Sequence, residues 1–260
     1  MTTTLRRSIG RLAGLVLVAL ISLQAYFVVR VVAMAFTDPQ STAFQRSEAW
    51  RLAMSARHPD WQQQWVDETS ISLYLKRAVI ASEDAGFTEH SGVEWDALEK
   101  AWQRNQRAEI AADQANEQLA LREAARRMSA KGSAARIPKV VGGSTITQQL
   151  AKNLFLGGER NLARKAQELL LTWELEAMLD KRRILEIYLN NVEWGEGVFG
   201  AEAAARHYFH VRAAALSGPQ AAQLAVLLPA PKRFGTRMNS GYVNARAATI
   251  AARMDSVDVP

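Results

Sequence analysis

Residues 163–191 read ARKAQELLLTWELEAMLDKRRILEIYLNN. Apolar side chains recur here at three- and four-residue steps, the spacing that places them on one face of an α-helix. The stretch exceeds an ordinary globular helix in length, and Asp180 is placed as an N-cap that divides it in two. The same period runs through ISLYLKRAVIASED (71–84), where Leu73, Arg77 and Ile80 fall on successive turns and Glu83 and Asp84 reach the helix end. STITQQLAKNLFL (144–156) follows Gly142-Gly143, carries Ser144 or Thr145 as its cap, buries Ile146, Leu150, Leu154 and Phe155, and stops before Gly157-Gly158. AEAAARHYF, PQAAQLAVLL and YVNARAATIAARM add three helices, separated by the glycine-rich EWGEGVFG and the extended LPAPKRF. No stretch alternates convincingly at period two, so the fold class is mainly α.

The N-terminus differs in kind. Leu12–Val29 is 18 residues without a charge, and VVAMAF continues the apolar run to Phe36 after Arg30. That reaches the lower limit for a helix crossing a bilayer core. Only Ser22 and Gln24 interrupt it, too few for the polar face of a soluble core helix. Arg6, Arg7 and Arg11 precede it, which leaves the N-terminus in the cytoplasm and the rest of the chain across the membrane. Arg30 can snorkel towards the headgroups. Ala33-Met34-Ala35 resembles a signal cleavage site, but the run is longer than a signal core, which favours an uncleaved anchor.

The chain of 260 residues accommodates one domain plus an appendage. It divides into an N-terminus and anchor (1–36), a linker and leading helix (37–70) and a single domain (71–260). Pro39, Pro59 and the polar, two-tryptophan DWQQQW (60–65) mark the linker. Ala101–Arg136 is rich in Ala, Gln, Glu and Arg, the composition of an exposed helix or a mobile insertion. There is no cysteine, which excludes disulfides, thiolate metal sites and a cysteine nucleophile. The net charge of +6 is open to nucleic acid, an anionic membrane or a phosphate-bearing substrate. The anchor argues against nucleic acid.

Two stretches carry the chemistry. GGSTITQQLAKN (142–153) uses Thr and Gln where a plain surface helix would use Glu and Lys, which suits hydroxyls, amides and sugars. Arg164 and Glu168 share a helix face four residues apart. Such a pair is commonly a surface ion pair, but Lys152, Arg164 and Lys165 together could clamp a pyrophosphate, with Glu168 balancing charge or positioning a cation. His58, His207 and His210 lack partners at metal-ligand spacing and read as structural. Trp173, Tyr188 and Phe209 fit core stripes.

EDAGFTEHSG (83–92) resembles the first signature of the peptidoglycan glycosyltransferase family. GGSTITQQLAKN, RKAQE (164–168), KRRILEIYLN (181–190) and EGVFGAEAAARHYF (196–209) resemble further signatures, in the family's order. One anchor followed by one such domain resembles the family's monofunctional layout, with no KTG box of a transpeptidase. The resemblance implies a lysozyme-like glycosyltransferase domain lying against the membrane, on the periplasmic side of a bacterial inner membrane. It implies lipid II and the nascent lipid-linked glycan as substrates, and cell-wall or division proteins as candidate partners. By motif position, Glu83 would be the general base towards the acceptor 4-hydroxyl, in an inverting transfer that releases undecaprenyl pyrophosphate. Glu168 would be the second carboxylate, assisting at the pyrophosphate directly or through a divalent ion, Mg or Mn. Lys152, Arg164 and Lys165 would offset leaving-group charge. Asp84, Phe87, His90, Thr145, Gln149 and Asn153 would shape the site. The stretch between Gly92 and Gly142 falls where the family has a mobile, membrane-proximal region. The alternatives are a lysozyme-like enzyme that cleaves glycan and a non-catalytic membrane-anchored scaffold.

Overall fold

The structure, a computed structural model, describes residues 2–55, 60–125, 143–159 and 161–260. His58, Pro59, Gly142 and the second part of the Ala-rich stretch lie outside the described residues. The chain forms two compact units, residues 1–92 with 145–260, and residues 93–144. In the second unit the described element is one long helix, α4 (Trp95–Ala125), with Trp95, Leu98, Trp102 and Ile110 exposed along it.

The first unit is mainly α. Its helices are α1 (Thr2–Ala33), α2 (Ala43–Ala53), α3 (Leu73–Glu83), α5 (Ile146–Phe155), α6 (Leu162–Met178), α7 (Lys181–Asn191), α8 (Ala201–Phe209), α9 (Gly218–Leu227), α10 (Pro231–Phe234) and α11 (Gly241–Ala251). The long central pattern breaks at Asp180, whose carboxylate accepts the amide of Arg183 at 2.7 Å and starts α7. Of the two cap candidates before α5, Thr145 is the one used, with Gln148 completing a reciprocal capping box. The core lies where α9 packs between α3 and α11, and where α5 meets α6 and α7.

Two expectations are corrected. The described residues include a small sheet, with β1 (Gln62–Gln63) parallel to β3 (Val198–Phe199), which is antiparallel to β2 (Glu193–Gly195). Strands of two or three residues are too short to show a period. On α3, which ends at Glu83 as expected, the buried face is Leu75, Ala78, Val79 and Ile80, while Leu73 is half exposed. Trp173 lies on the exposed side of α6 rather than in the core. Tyr188 is buried as expected and Phe209 packs at the core's margin.

Arg7–Ala33 is long and apolar enough to cross a membrane. Its last turns are nonetheless part of the folded unit. Phe27, Val31 and Met34 bury one stripe, with Phe27 edge-on to Phe155 at 5.3 Å. Gln24 donates to Glu174 at 2.7 Å and accepts from Gln167. Arg183 then holds the exit of the helix, donating to the carbonyls of Met34 and Thr37 and to Asp38. The anchor is docked along α6 and α7 before the chain turns into α2.

Glu193 on β2 is buried beside Lys232 of α10 at 3.7 Å. Lys232 is closer to Glu48, which Arg51 also pairs. Burial, only partly offset by Lys232 and Arg51 and reinforced by Glu48 and Glu196, pushes the Glu193 carboxyl up to about 7. Between pH 4.5 and 7 the unfolded chain has therefore released this proton while the folded chain keeps it. Stability falls as pH rises through that window, by roughly 3 kcal/mol for a shift of this size. Glu193→Gln removes this contribution. The thermal midpoint of the detergent-solubilised variant is expected to fall less than the wild type's between pH 5 and pH 8. Parallel pH profiles would refute it.

Candidate active site

Glu83 is the last residue of α3, and Asp84 caps that helix. The adjacent carboxylates have different surroundings. Asp84 is buried and fully engaged, accepting the amide of Ile146 at 3.0 Å with one oxygen and meeting His90 Nε2 at 2.8 Å with the other. The amide of Gly92 donates to His90 Nδ1 at 3.1 Å, so the ring proton sits on Nε2 and points at Asp84. Thr145 Oγ1 donates to the Gly92 carbonyl at 2.6 Å. Asp84, His90 and Thr145 therefore lock the end of α3, the turn after it and the start of α5 together. Phe87 is fully buried beneath the ammonium of Lys181, 4.5 Å from the ring centre, and supports this turn from inside.

Glu83 is half-buried. It accepts Gln149 Nε2 at 2.8 Å, and Gln149 Oε1 accepts the Tyr188 hydroxyl at 3.0 Å. The chain Tyr188–Gln149–Glu83 fixes the amide orientation: the Glu83 carboxylate takes the amide N–H, which leaves the amide oxygen to accept from the phenol. Burial raises the Tyr188 phenol well above its ordinary range, and the neighbouring charges of Glu83 and Asp84 add to this, so it stays a neutral donor. Burial also raises the Glu83 carboxyl. Gln149, Arg246 and Ser82 oppose that rise, and Asp84 adds to it. A carboxylate raised towards neutrality and held in a fixed orientation is equipped to accept a proton.

Gln149, Lys152 and Asn153 share one face of α5, bordering the buried stripe of Ile146, Leu150 and Leu154. Lys152 is exposed and Asn153 half-buried. The second cluster lies on α6, which packs against α5. Glu168 is buried there; Arg164 donates to one oxygen at 2.8 Å and Lys165 to the other. Lys165 remains half exposed. A Mg or Mn ion held by Glu168 would have to share its carboxylate with Arg164 and Lys165. The arrangement instead holds two cations side by side, suited to an anionic group with several oxygens. Most of the expected residues form two groups, Glu83 and Asp84 with their supports and the Arg164–Lys165–Glu168 cluster, while Lys152 and Asn153 lie on the α5 face that carries Gln149.

Tyr188 and Arg246 were missed as site residues. Tyr188 lies on a core stripe and only its hydroxyl reaches polar ground. Arg246 comes from α11, which packs against α3, and nothing near it in sequence announces a site.

Gln149→Leu removes the donor that favours ionised Glu83. If Glu83 acts as a base, the acid limb of the pH–rate profile is expected to move to higher pH, since the carboxyl then ionises at higher pH. An unmoved limb would show that Gln149 does not tune Glu83.

A family model described as Transglycosylase matches residues 51–115 and 119–255. A biosynthetic peptidoglycan transglycosylase of Bordetella pertussis is 49% identical over 230 residues, covering 88% of this chain and 85% of that protein. One of Cupriavidus metallidurans is 47% identical over 260 residues, covering 98% of this chain and 99% of that protein. One of Paraburkholderia phytofirmans is 44% identical, covering 96% of this chain and 92% of that protein. With the paired carboxylates, the cation cluster and the α architecture in place, the chain belongs to the transglycosylase family.

Proposed function

We propose that this chain is a peptidoglycan glycosyltransferase that joins lipid II units into β-1,4-linked glycan. The coarser activity, peptidoglycan transglycosylase, follows from the family and its relatives. The observation that carries the finer reading is Glu83, raised by burial and oriented by Gln149 and Tyr188. Glu83 takes the proton of the acceptor sugar's 4-hydroxyl. That oxygen bonds to the anomeric carbon of the lipid-linked donor while the bond from that carbon to the phosphate oxygen breaks. The electron pair leaves with undecaprenyl pyrophosphate, and configuration at the anomeric carbon inverts. Lys152, Arg164 and Lys165 stabilise the departing charge, and Glu168 holds the last two in place. A pyrophosphate is already a good leaving group, so cations can serve where a glycosidase needs a general acid.

This role also explains the anchor. A polyprenyl-linked substrate stays in the membrane, and a domain docked on its own anchor stays beside it. Arg6, Arg7 and Arg11 favour a cytoplasmic N-terminus, with the domain on the periplasmic side of the inner membrane. The test is purified detergent-solubilised protein with lipid II, products resolved on a gel. Long glycan with released undecaprenyl pyrophosphate is expected. Intact lipid II together with cutting of preformed glycan would overturn the reading in favour of a lytic enzyme. No change in either substrate would favour a scaffold.

A further inference from the structure

The linker motif DWQQQW has no part in the site described above. Trp61, Gln63 and Trp65 are spaced two apart along an extended segment that includes β1, so their side chains leave the same side of the backbone. Together with Asp38, Pro39 and Gln40 they line a cleft of about 290 Å³, near the lower end of ligand-pocket sizes. The cleft opens just after the end of α1, where the chain leaves the membrane segment.

Its walls are braced from behind. Trp61 stacks on Phe199 of β3 with ring centres 4.5 Å apart, and Phe44 of α2 meets the same ring at 6.2 Å. Trp61 keeps 40% of its surface exposed. The Arg183 guanidinium lies 5.5 Å from the Trp65 ring centre and pairs with Asp38 at 2.8 Å. The Trp65 indole Nε1 is buried and has no hydrogen-bond partner among the described residues.

We propose that this cleft is a second carbohydrate site, separate from the catalytic carboxylates, that holds β-1,4-linked N-acetylhexosamine units. Its composition matches that ligand. A pyranose ring has an apolar C–H face, which packs on an exposed indole, and an equatorial rim of hydroxyls. Its N-acetyl groups add an amide donor and acceptor. Gln40 and Gln63 supply neutral donors and acceptors for the rim and the acetamido groups, and Asp38 accepts from a hydroxyl. A phosphate headgroup suits the cleft less well, since Asp38 lies in its wall and the guanidinium of Arg183 is already committed to Asp38 and Glu186. The choice of N-acetylhexosamine rests on the glycan reading above. At the neck of the anchor, the site would keep a lipid-linked strand close to the enzyme while its reacting end sits elsewhere.

The test measures binding without turnover. Full-length Glu83→Gln protein in detergent micelles is titrated with N-acetylchitotetraose by calorimetry, alone and with Gln63→Ala or Trp61→Ala added. A weakening of tenfold or more in both added variants, with thermal midpoints kept, is expected. Gln63→Ala removes only a cleft side chain, so it carries the test if Trp61→Ala loosens the fold. Equal affinity in the Gln63→Ala variant, or no binding to the parent, overturns the proposal. A parent that instead binds phosphatidylglycerol nanodiscs in a Gln63-dependent way, and not the sugar, also overturns it. Lipid II polymerisation by protein with Glu83 intact is measured separately. No sugar binding by the parent, or binding that Gln63→Ala leaves unchanged, together with intact polymerisation refutes the cleft alone, whereas absent polymerisation with Gln63-dependent sugar binding refutes the catalytic reading alone.

Discussion

Glu83→Gln is expected to lower the rate of glycan polymerisation by roughly 10²- to 10⁴-fold, the usual contribution of a positioned general base. The replacement is nearly isosteric, and its amide oxygen can still accept from Gln149 Nε2, so the Tyr188–Gln149 chain and the end of α3 keep their geometry. What disappears is the capacity to take a proton. The thermal midpoint is expected to hold or rise, because a half-buried carboxylate whose charged form is disfavoured by burial has been made neutral. The residual rate is expected to lose its acid limb, since the group whose ionisation produced it is gone. Activity within a few-fold of the wild type would remove Glu83 from the role of base. The neighbouring Asp84→Asn makes a useful contrast. It disturbs the bonds to Ile146 and His90, so its effect is expected to include a drop in stability.

That contrast was only partly legible in the sequence. Two adjacent carboxylates at a helix end could be read from the period of residues 71–84 and from the turn that follows. Which of the two is free to react depends on Ile146 and His90, and contact with Ile146 needs the folded chain. The caps were readable because Asp180 and Thr145 act on amides three residues away. Tyr188 was not, because it meets Gln149 across 39 positions of sequence and otherwise looks like any buried aromatic. Trp173 failed for the opposite reason. Helical spacing says which residues share a face but not whether another element covers that face. The strands failed because a two-residue ladder is defined by its partner, and Gln62–Gln63 finds its partner far along the chain. Glu193 shows the same limit in electrostatics, since its burial beside Lys232 and Glu48 joins three separate elements.

Glu168→Gln is expected to lose activity by roughly 10²- to 10³-fold, the scale seen when preorganised stabilisation of developing charge is removed. The reasoning differs from that for Glu83. Both oxygens of Glu168 are held by cations, Arg164 and Lys165, so its carboxylate is not free to take a proton from a substrate. A glutamine leaves one acceptor oxygen and no negative charge. One of the two cations then loses its partner, and the pair no longer presents a fixed double donor to a pyrophosphate. The pH profile separates this from a lost base. Glu168→Gln is expected to keep the acid limb set by Glu83 while its plateau drops, whereas Glu83→Gln loses the limb. Added Mg or Mn is not expected to restore the rate, because the lost function is the positioning of side-chain cations. Recovery of activity with added divalent ion would mean instead that a metal can replace the paired cations, and the charge-holding role assigned to Glu168 would have to be given up.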